Sequence, residues 1–546
     1  MNGTLNNNFI RKRLAILFIG MQICTGYSCS KNGSIENQST PLSKVSLIPL
    51  PQSLQYGSSN LSLTKETTIS RDIEGIPHEL LKITLMQVLG SSSISNAANE
   101  EAFIRISKDN TLGDEGYRIN IDESINLSYK TTEGLLWGIQ TLRQILLQHS
   151  TTQNSLINIP KLIISDTPKK TWRGFHIDLA RHMFNLSYLK KIADVLSFYK
   201  INKLQLHLTD DQGWRIEVKK YPMLTMQGGW REFDEYDKRC IELSNSDIDF
   251  TIDSRFIRNN SEYGGYYTQE EMKDFITYAT KRGIDVIPEI DMPGHFSAAI
   301  KVFPELSCTG QAGWGKEFSY PICAGRMESY AFIKNILDEI SALFPSEYIH
   351  IGADEVEMDN WKKCERCQGL IQEKNLKDVN GLKNYFVEQI ATYAKSKGKT
   401  VMAWDDAYIG NNPQDLLYTY WRDWLPDEPG EITQKGYPLI FMEWGHFYLS
   451  ATPSDDLLKS LYQFNLEPKF QGILKNKFLG YQACVWTEMI PNERKFGQHT
   501  FPSLQAFAEL AWGSDRNWSN FTERLPWHLQ WLTQNGIHSR TPGFIK

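Results

Sequence analysis

From Trp172 onward, short apolar runs alternate with helical patterns. Trp172–Asp178 reads as a strand, followed by an amphipathic helix at Leu186–Tyr199. Lys203–His207 is the next strand, and the next clear helical stretch is Gln269–Lys281. Ile284–Glu289 leads to a helix at Ser329–Leu343, and Tyr348–Gly352 to one at Leu382–Lys395. Thr400–Trp404, Leu417–Trp421, Pro438–Trp444 and Gly480–Trp486 supply four more strands, with helices at Ser454–Tyr462 and Leu504–Ala511. Eight strands with intervening helices predict an α/β fold of the (β/α)8 kind, a TIM barrel.

The chain before the barrel has a different rhythm. Strands at Ala102–Ser107 and Gly116–Asn120 mix with helical patterns at His78–Leu89 and Thr132–Gln148, which predicts a small α+β domain over 45–165. Asp166-Thr167-Pro168 breaks the chain before the barrel domain, 166–546. At the start, Arg11, Lys12 and Arg13 precede the apolar run Leu14–Ile23, the layout of an export signal over 1–29. Gly26-Tyr27-Ser28-Cys29 resembles a lipoprotein cleavage site, after which Cys29 would carry lipid. Residues 30–44, rich in Ser and Asn, read as a tether. The expectation is an exported bacterial protein, periplasmic or anchored at the outer membrane or cell surface. Asp234–Gly264 is a polar insertion after the second barrel strand and reads as a rim loop.

The register of the barrel strands carries the chemistry. They finish at Asp178, His207, Glu289 with Asp291, Asp354 with Glu355, Trp404, Trp421, Trp444 and Trp486. In a TIM barrel the C-terminal strand ends build the active site. Acids, His and Trp gathered there describe a pocket that grips a sugar ring and supplies acid catalysis. The adjacent pair Asp354 and Glu355 stands out. Two carboxyls in one site cannot ionise equally, so one is pushed toward the neutral acid. A bare Asp-Glu pair is most often a solvated loop, but this one closes an apolar strand.

Composition narrows the alternatives. Of 546 residues, 41% are apolar, and 58 basic against 64 acidic residues leave a net charge of −6 with no basic run for nucleic acid. There are 15 Trp, suited to the apolar faces of sugar rings, although about half are expected in the core. Among eight Cys, Cys364 and Cys367 form a single CxxC. A zinc ribbon needs a second such pair or a His pair at short spacing, so a local disulfide or free thiols is the expectation. Cys308 and Cys323 bracket a loop and would pair in an oxidising compartment. No metal site and no nucleotide-binding fingerprint are expected, hence no cofactor.

Several motifs together resemble the family 20 glycoside hydrolases, the β-N-acetylhexosaminidases. They are Trp172-Arg173-Gly174 with Asp178 and Arg181-His182; His207 through Arg215; Pro288-Glu289-Ile290-Asp291-Met292-Pro293-Gly294-His295; His350-Ile351-Gly352-Ala353-Asp354-Glu355; and Trp486-Thr487-Glu488. The resemblance runs from about residue 45 to the end, and the first block looks like the small domain that precedes the family's barrel. It implies removal of terminal non-reducing β-linked N-acetylglucosamine or N-acetylgalactosamine from glycans. It also implies that the substrate's own 2-acetamido oxygen is the nucleophile, an exception to the two-carboxylate scheme. On that reading Glu355 is the general acid and later the base. Asp354 holds the acetamide N–H and steadies the oxazolinium-like intermediate, and Tyr448 donates to the acetamide oxygen.

The same resemblance assigns the remaining roles. Trp404, Trp421 and Trp486 wall the pocket. Arg173 and Glu488 bind hydroxyls at the far end of the ring. Asp178 and His295 belong to the binding site and, with His182 and Asp291, make the polar network that tunes Glu355. Asp210, Asp211 and Trp214 hold the loop after the second strand. His182 and His207 equally fit a role satisfying buried polar groups. Trp361 is a candidate for an aglycone subsite.

Two positions depart from the family's pattern. Ala353 stands where a second Gly is common, a change that adds one methyl and should be tolerated. Ser450 stands where an acid is common, two residues after Tyr448. Losing that carboxylate removes repulsion toward an anionic substituent, so tolerance of, or preference for, 6-O-sulfated or otherwise modified N-acetylglucosamine is expected; the alternative is that another residue of the Trp444–Tyr448 loop fills the role. Two other readings stay open: a non-catalytic carbohydrate-binding lipoprotein, and a family member that releases a disaccharide.

Overall fold

The computed structural model describes residues 44–72, 75–149, 156–410, 415–466 and 469–545. The expected export signal, Cys29 and nearly all of the tether lie outside the described residues.

Eight parallel strands close into a barrel: β1 (Trp172–Asp178), β2 (Lys203–His207), β3 (Asp285–Glu289), β4 (Tyr348–His350), β5 (Thr400–Trp404), β6 (Leu417–Tyr420), β7 (Leu439–Phe441) and β8 (Phe478–Val485). Helices such as Leu186–Phe198, Gln269–Thr280, Met327–Leu343 and Val379–Ser396 return the chain between them. The register levels the rim. Asp178 lies beside His207, His207 beside Glu289, Glu289 beside His350, and Trp404 beside Thr419.

Alternation along each strand sorts the side chains into two populations. The outward set, with Phe175, Ile177, Leu204, Leu206, Val286 and Ile349, packs under the helices as one continuous core. The inward set is layered. Trp172, Ile287, Met402, Leu417 and Ile440 form an apolar plug at the bottom. Above it, Gln482 accepts from the Trp172 indole (3.1 Å) and donates to Gln205 (2.8 Å), which donates to Glu289 (2.8 Å). The interior thus turns polar as it approaches the rim.

The N-terminal domain carries a seven-stranded sheet and two helices, Ile76–Leu89 and Thr132–Gln148, around its own apolar core. It docks at the N-terminal end of the barrel strands. Buried Lys200 donates to Tyr117 (2.7 Å) and Asp166 (3.1 Å), and the Trp512 indole donates to Asp166 (3.0 Å). The polar insertion departs from the expected loop. It folds as a helix, Glu235–Ser244, and a three-stranded sheet of Trp230–Glu232, Glu262–Gly264 and Ile257–Arg258. Cys240, Ile252 and Tyr263, buried with Phe233 and Phe256 against them, supply a small core that its polar composition concealed.

Candidate active site

The chain leaves β4 through an abrupt turn. Gly352, Ala353 and Glu355 all have positive φ, at 67°, 76° and 49°. That turn breaks strand alternation and sends the Asp354 and Glu355 carboxyls into the same cavity. Asp291 moulds it from below. The Ala353 N–H donates to Asp291 Oδ1 (3.2 Å), and a Cβ on Gly352 would stand 1.7 Å from that oxygen. Ala353 therefore does not carry its methyl for free: a left-handed L-residue costs about 1–2 kcal/mol. Strain of this kind persists where the surroundings over-determine the backbone.

The cavity, about 300 Å3, opens at the C-terminal rim of the barrel. Burial pushes Asp354 up to about 7; the positive charge of His295 opposes this and the charge of Glu355 adds to it. Its Oδ1 is buried with no hydrogen-bond partner among the described residues. Asp291, buried against Asp354, is held well above the usual carboxylate range by burial and by that neighbour's charge.

His295 joins the acids to a second charged group. Its Nε2 lies 3.4 Å from Glu355 Oε2 and 3.8 Å from Asp354 Oδ2, while its Nδ1 lies 3.2 Å from Asp210 Oδ1. Burial disfavours its charge, but Asp210 and the surrounding carboxylates outweigh that, so the imidazole is held well above its ordinary range. Asp210 also pairs with Arg181 (2.9 Å) and His207 (2.9 Å). Burial works against its charge, yet Arg181 and His295 keep it well below the usual range. Arg181 in turn reaches Asp178 (3.2 Å) and Glu488 (3.6 Å), with its guanidinium over the Trp486 ring. Arg181 and Glu488 both line the cavity.

Aromatic side chains make the walls. Trp404 donates to Glu289 (2.9 Å) and Trp421 to Asp406 (2.7 Å), which fixes both indoles. The Tyr448 ring lies 6.3 Å from Trp421 and 6.2 Å from Trp486. Burial raises the Tyr448 phenol well above its ordinary range, so it stays a neutral donor. Beneath this floor Glu289 meets His207 (3.0 Å), His176 (3.3 Å) and His350 (3.3 Å). At the mouth, Trp444 is 58% exposed.

Of the residues singled out in the sequence, Glu355, Asp354, Tyr448, His295, Trp404, Trp421, Trp486 and Glu488 meet in this cavity. Arg173 does not, and its assignment is corrected. It is the second residue of β1, on the outward parity and at the opposite end of the strand from the rim. There it is buried, donates to Lys170 O (2.7 Å), Lys200 O (2.8 Å) and Glu115 (3.2 Å), and ties the two domains together. Arg181 occupies the place given to it. Asp178 is also corrected: it is fully buried and holds Arg181 and the Thr487 backbone (3.0 Å) rather than lining the cavity. His182 bonds Thr487 and Asp237 (3.2 Å) behind the wall. Trp361 is completely buried, donating to Ile322 O (3.1 Å), and offers no aglycone surface. Asp210, read as a loop residue, belongs to the rim. Strand parity is the signal available for Arg173; Trp444 ends a predicted strand, and Arg181 stands in the motif with Asp178 and His182.

Comparison with known proteins places the chain. Residues 171–515 match glycosyl hydrolase family 20, catalytic domain, and residues 44–167 match domain 2 of the same family. A β-hexosaminidase of Porphyromonas gingivalis is 30% identical over 91% of this chain, which spans 64% of that relative's length. A β-hexosaminidase of Akkermansia muciniphila is 31% identical over 79% of this chain and 87% of its own. Among solved structures, the family 20 exo β-N-acetylglucosaminidase of Vibrio harveyi in complex with N-acetylglucosamine superposes with a TM-score of 0.79. It is 27% identical and covers 94% of this chain and 81% of its own. The chain belongs to glycosyl hydrolase family 20.

Proposed function

We propose that this family 20 glycosidase removes single terminal β-linked N-acetylhexosamine residues from the non-reducing ends of glycans, with the substrate's acetamido group as nucleophile. The observation that carries the reading is Asp354: a buried acid with an unpaired Oδ1, beside Glu355, in a cavity walled by Trp404, Trp421, Tyr448 and Trp486. An acetamide N–H donates to that oxygen, and the neutral Tyr448 phenol donates to the acetamide carbonyl. The carbonyl oxygen is then aimed at the anomeric carbon. Effective molarities of well-oriented internal nucleophiles reach roughly 10⁵–10⁸ M. Glu355 protonates the departing glycosidic oxygen, and ionised Asp354 steadies the cationic ring that forms. Water activated by Glu355 then opens the ring, which returns the β-anomer of the free sugar.

Exo action is supported by Arg181 and Glu488, whose pairing (3.6 Å) lies in the cavity lining and suits capture of the terminal sugar's hydroxyls. The test is hydrolysis of a chitooligosaccharide series, with monosaccharide as the first product at every length. Disaccharide as the first product would contradict exo action on single sugars. No release at all would leave the binding-protein alternative.

A finer preference rests on Ser450, which lines both the cavity and an adjoining recess of about 420 Å3 bounded by Ala451, Met489 and Ile490. A hydroxyl at this position leaves room for a 6-O-sulfate and does not repel it. Comparing kcat/KM on 6-sulfated and plain aryl N-acetylglucosaminides tests this. The reading fails if the sulfated substrate is cleaved at under about a hundredth of the plain rate, roughly 2.7 kcal/mol of discrimination. The enzyme is further proposed to act after export, supported by Arg11–Arg13, the apolar run Leu14–Ile23 and Cys29. The mass of the mature N-terminus tests lipidation.

A further inference from the structure

Four cysteines from two loops, Cys308 and Cys323 after β3 and Cys364 and Cys367 after β4, bring their sulfurs together beside the loop that carries Glu355. Cys308 and Cys367 stand 3.7 Å apart, Cys323 and Cys367 3.7 Å, and Cys323 and Cys364 3.8 Å. All four sulfurs lie within 4.8 Å of one another, and none of the four is in a disulfide. A zinc ion held by four thiolates at about 2.3 Å in a tetrahedron sets sulfur–sulfur edges of about 3.8 Å. An iron–sulfur cluster spreads its cysteines over several irons and demands wider spacing. Four sulfurs with no oxygen among them exclude a hard cation such as calcium or magnesium.

The backbone is shaped for this convergence. Cys308 and Cys323 each precede a glycine by two residues, in Cys308-Thr309-Gly310 and Cys323-Ala324-Gly325. A Cβ on Gly325 would stand 2.3 Å from the Arg366 carbonyl carbon and the Cys367 nitrogen, so only glycine lets these two turns close. Cys364 caps the helix Glu365–Glu373 and Cys367 lies in its first turn, where the helix N-terminus favours negative charge. Cys323 and Cys367 are fully buried, Cys364 nearly so.

We propose that Cys308, Cys323, Cys364 and Cys367 form a structural Zn2+ site that anchors the general-acid loop. Each thiol gives up its proton to solvent as its sulfur takes a coordination position. All four positions are filled by protein, so the ion is structural and not a source of activated water. It ties the segment after β3, which carries His295, to the segment after β4, which carries Asp354 and Glu355. The loop closed by Cys308 and Cys323 also lies on the acid's own strand exit: Lys316 N–H donates to Glu357 (3.0 Å), two residues past Glu355. The sequence did not reveal this site because its second pair is split by the intervening loop and does not form a CxxC.

Metal analysis of the purified wild-type protein is the test, and it reads independently of glycosidase activity. About one zinc per chain is expected, with all four cysteines alkylated as free thiols after denaturation in chelator. Cys364→Ser/Cys367→Ser should hold less than about a tenth of that zinc, while Cys240→Ser, outside the cluster, should keep it. Cobalt substitution of the wild type should give sulfur-to-metal charge-transfer absorption and the intense visible bands of tetrahedral cobalt. Stripping zinc should lower Tm by roughly 5 °C or more, reversibly. Wild-type protein with no metal and the four cysteines in two disulfides would overturn the proposal, as would one iron in place of zinc; neither outcome depends on the variants folding.

Discussion

The Nε2 of His295 lies 3.4 Å from Oε2 of Glu355, and the opposite ring nitrogen is gripped by Asp210. A charged imidazole is therefore fixed against the carboxyl proposed to give and then take a proton. Replacing Glu355 by Gln keeps the shape and removes the proton. The expected loss in kcat is about 10²–10⁴-fold on chitobiose, whose leaving alcohol needs protonation, and distinctly smaller on a nitrophenyl glycoside, whose leaving group does not. Equal losses on the two substrates would mean that Glu355 is not the acid. His295→Phe should show the same leaving-group bias with a smaller loss, about 10–100-fold.

Asp354 ties stability to pH in a direction that separates it from an ordinary surface acid. Its folded value of about 7 lies above the roughly 3.9 of an unfolded Asp. Between those values the folded state holds more protons, so this group lowers stability as pH rises from about 4 to about 7, by at most about 4 kcal/mol. Asp354→Asn removes that burden. The variant should melt higher than wild type at pH 8 and by a clearly smaller margin at pH 5, while losing most of its activity. On the proposed mechanism Asp354 works ionised, so wild-type kcat/KM should fall on the acid side with a midpoint near pH 7. A melting difference that is larger at pH 5 would contradict this.

Arg181 and Arg173 should be told apart by KM. Arg181→Ala removes a side chain that lines the cavity and strips buried Asp178 and Asp210 of their cation, so the expected result is a KM increase of about 10–100-fold together with a stability loss of about 3 kcal/mol. Arg173→Ala leaves the Glu115 and Lys170 contacts unmade at the domain junction. It should cost about 3 kcal/mol in stability while the folded fraction retains its KM. Steady-state kinetics alongside thermal unfolding distinguishes the two residues.

Gly352 is required by space and by backbone angle together. A Cβ there meets the Asp291 carboxylate at 1.7 Å, at φ 67°. Gly352→Ala should move Asp354 and Glu355 and reduce kcat by about 100-fold or more, since displacements of the order of 1 Å have that effect. Crystals of the variant should show a shifted turn after β4.

The strands were readable because barrel strands are short, apolar and regularly spaced, and their ends carried the acids and Trp that now line the cavity. The motif misplaces Arg173 because it gives an order of residues and not a direction; as the second residue of β1, next to inward Trp172, it points away from the barrel axis. The insertion hid a helix and a sheet because three buried residues, Cys240, Ile252 and Tyr263, are too few to show a period in a polar segment. The sulfur cluster lay beyond sequence reading for a different reason. Its members come within 4.8 Å of one another only through the packing of two loops from neighbouring strands.

The acetamido nucleophile is tested most directly by weakening it without changing its position. Nitrophenyl β-glucosaminides bearing acetyl, monofluoroacetyl, difluoroacetyl and trifluoroacetyl groups on nitrogen differ little in size but steadily in carbonyl basicity. Participation predicts a steep, monotonic fall in kcat along the series, of about 10²-fold or more from first to last. A kcat that stays level across the four substrates would contradict attack by the substrate's own carbonyl.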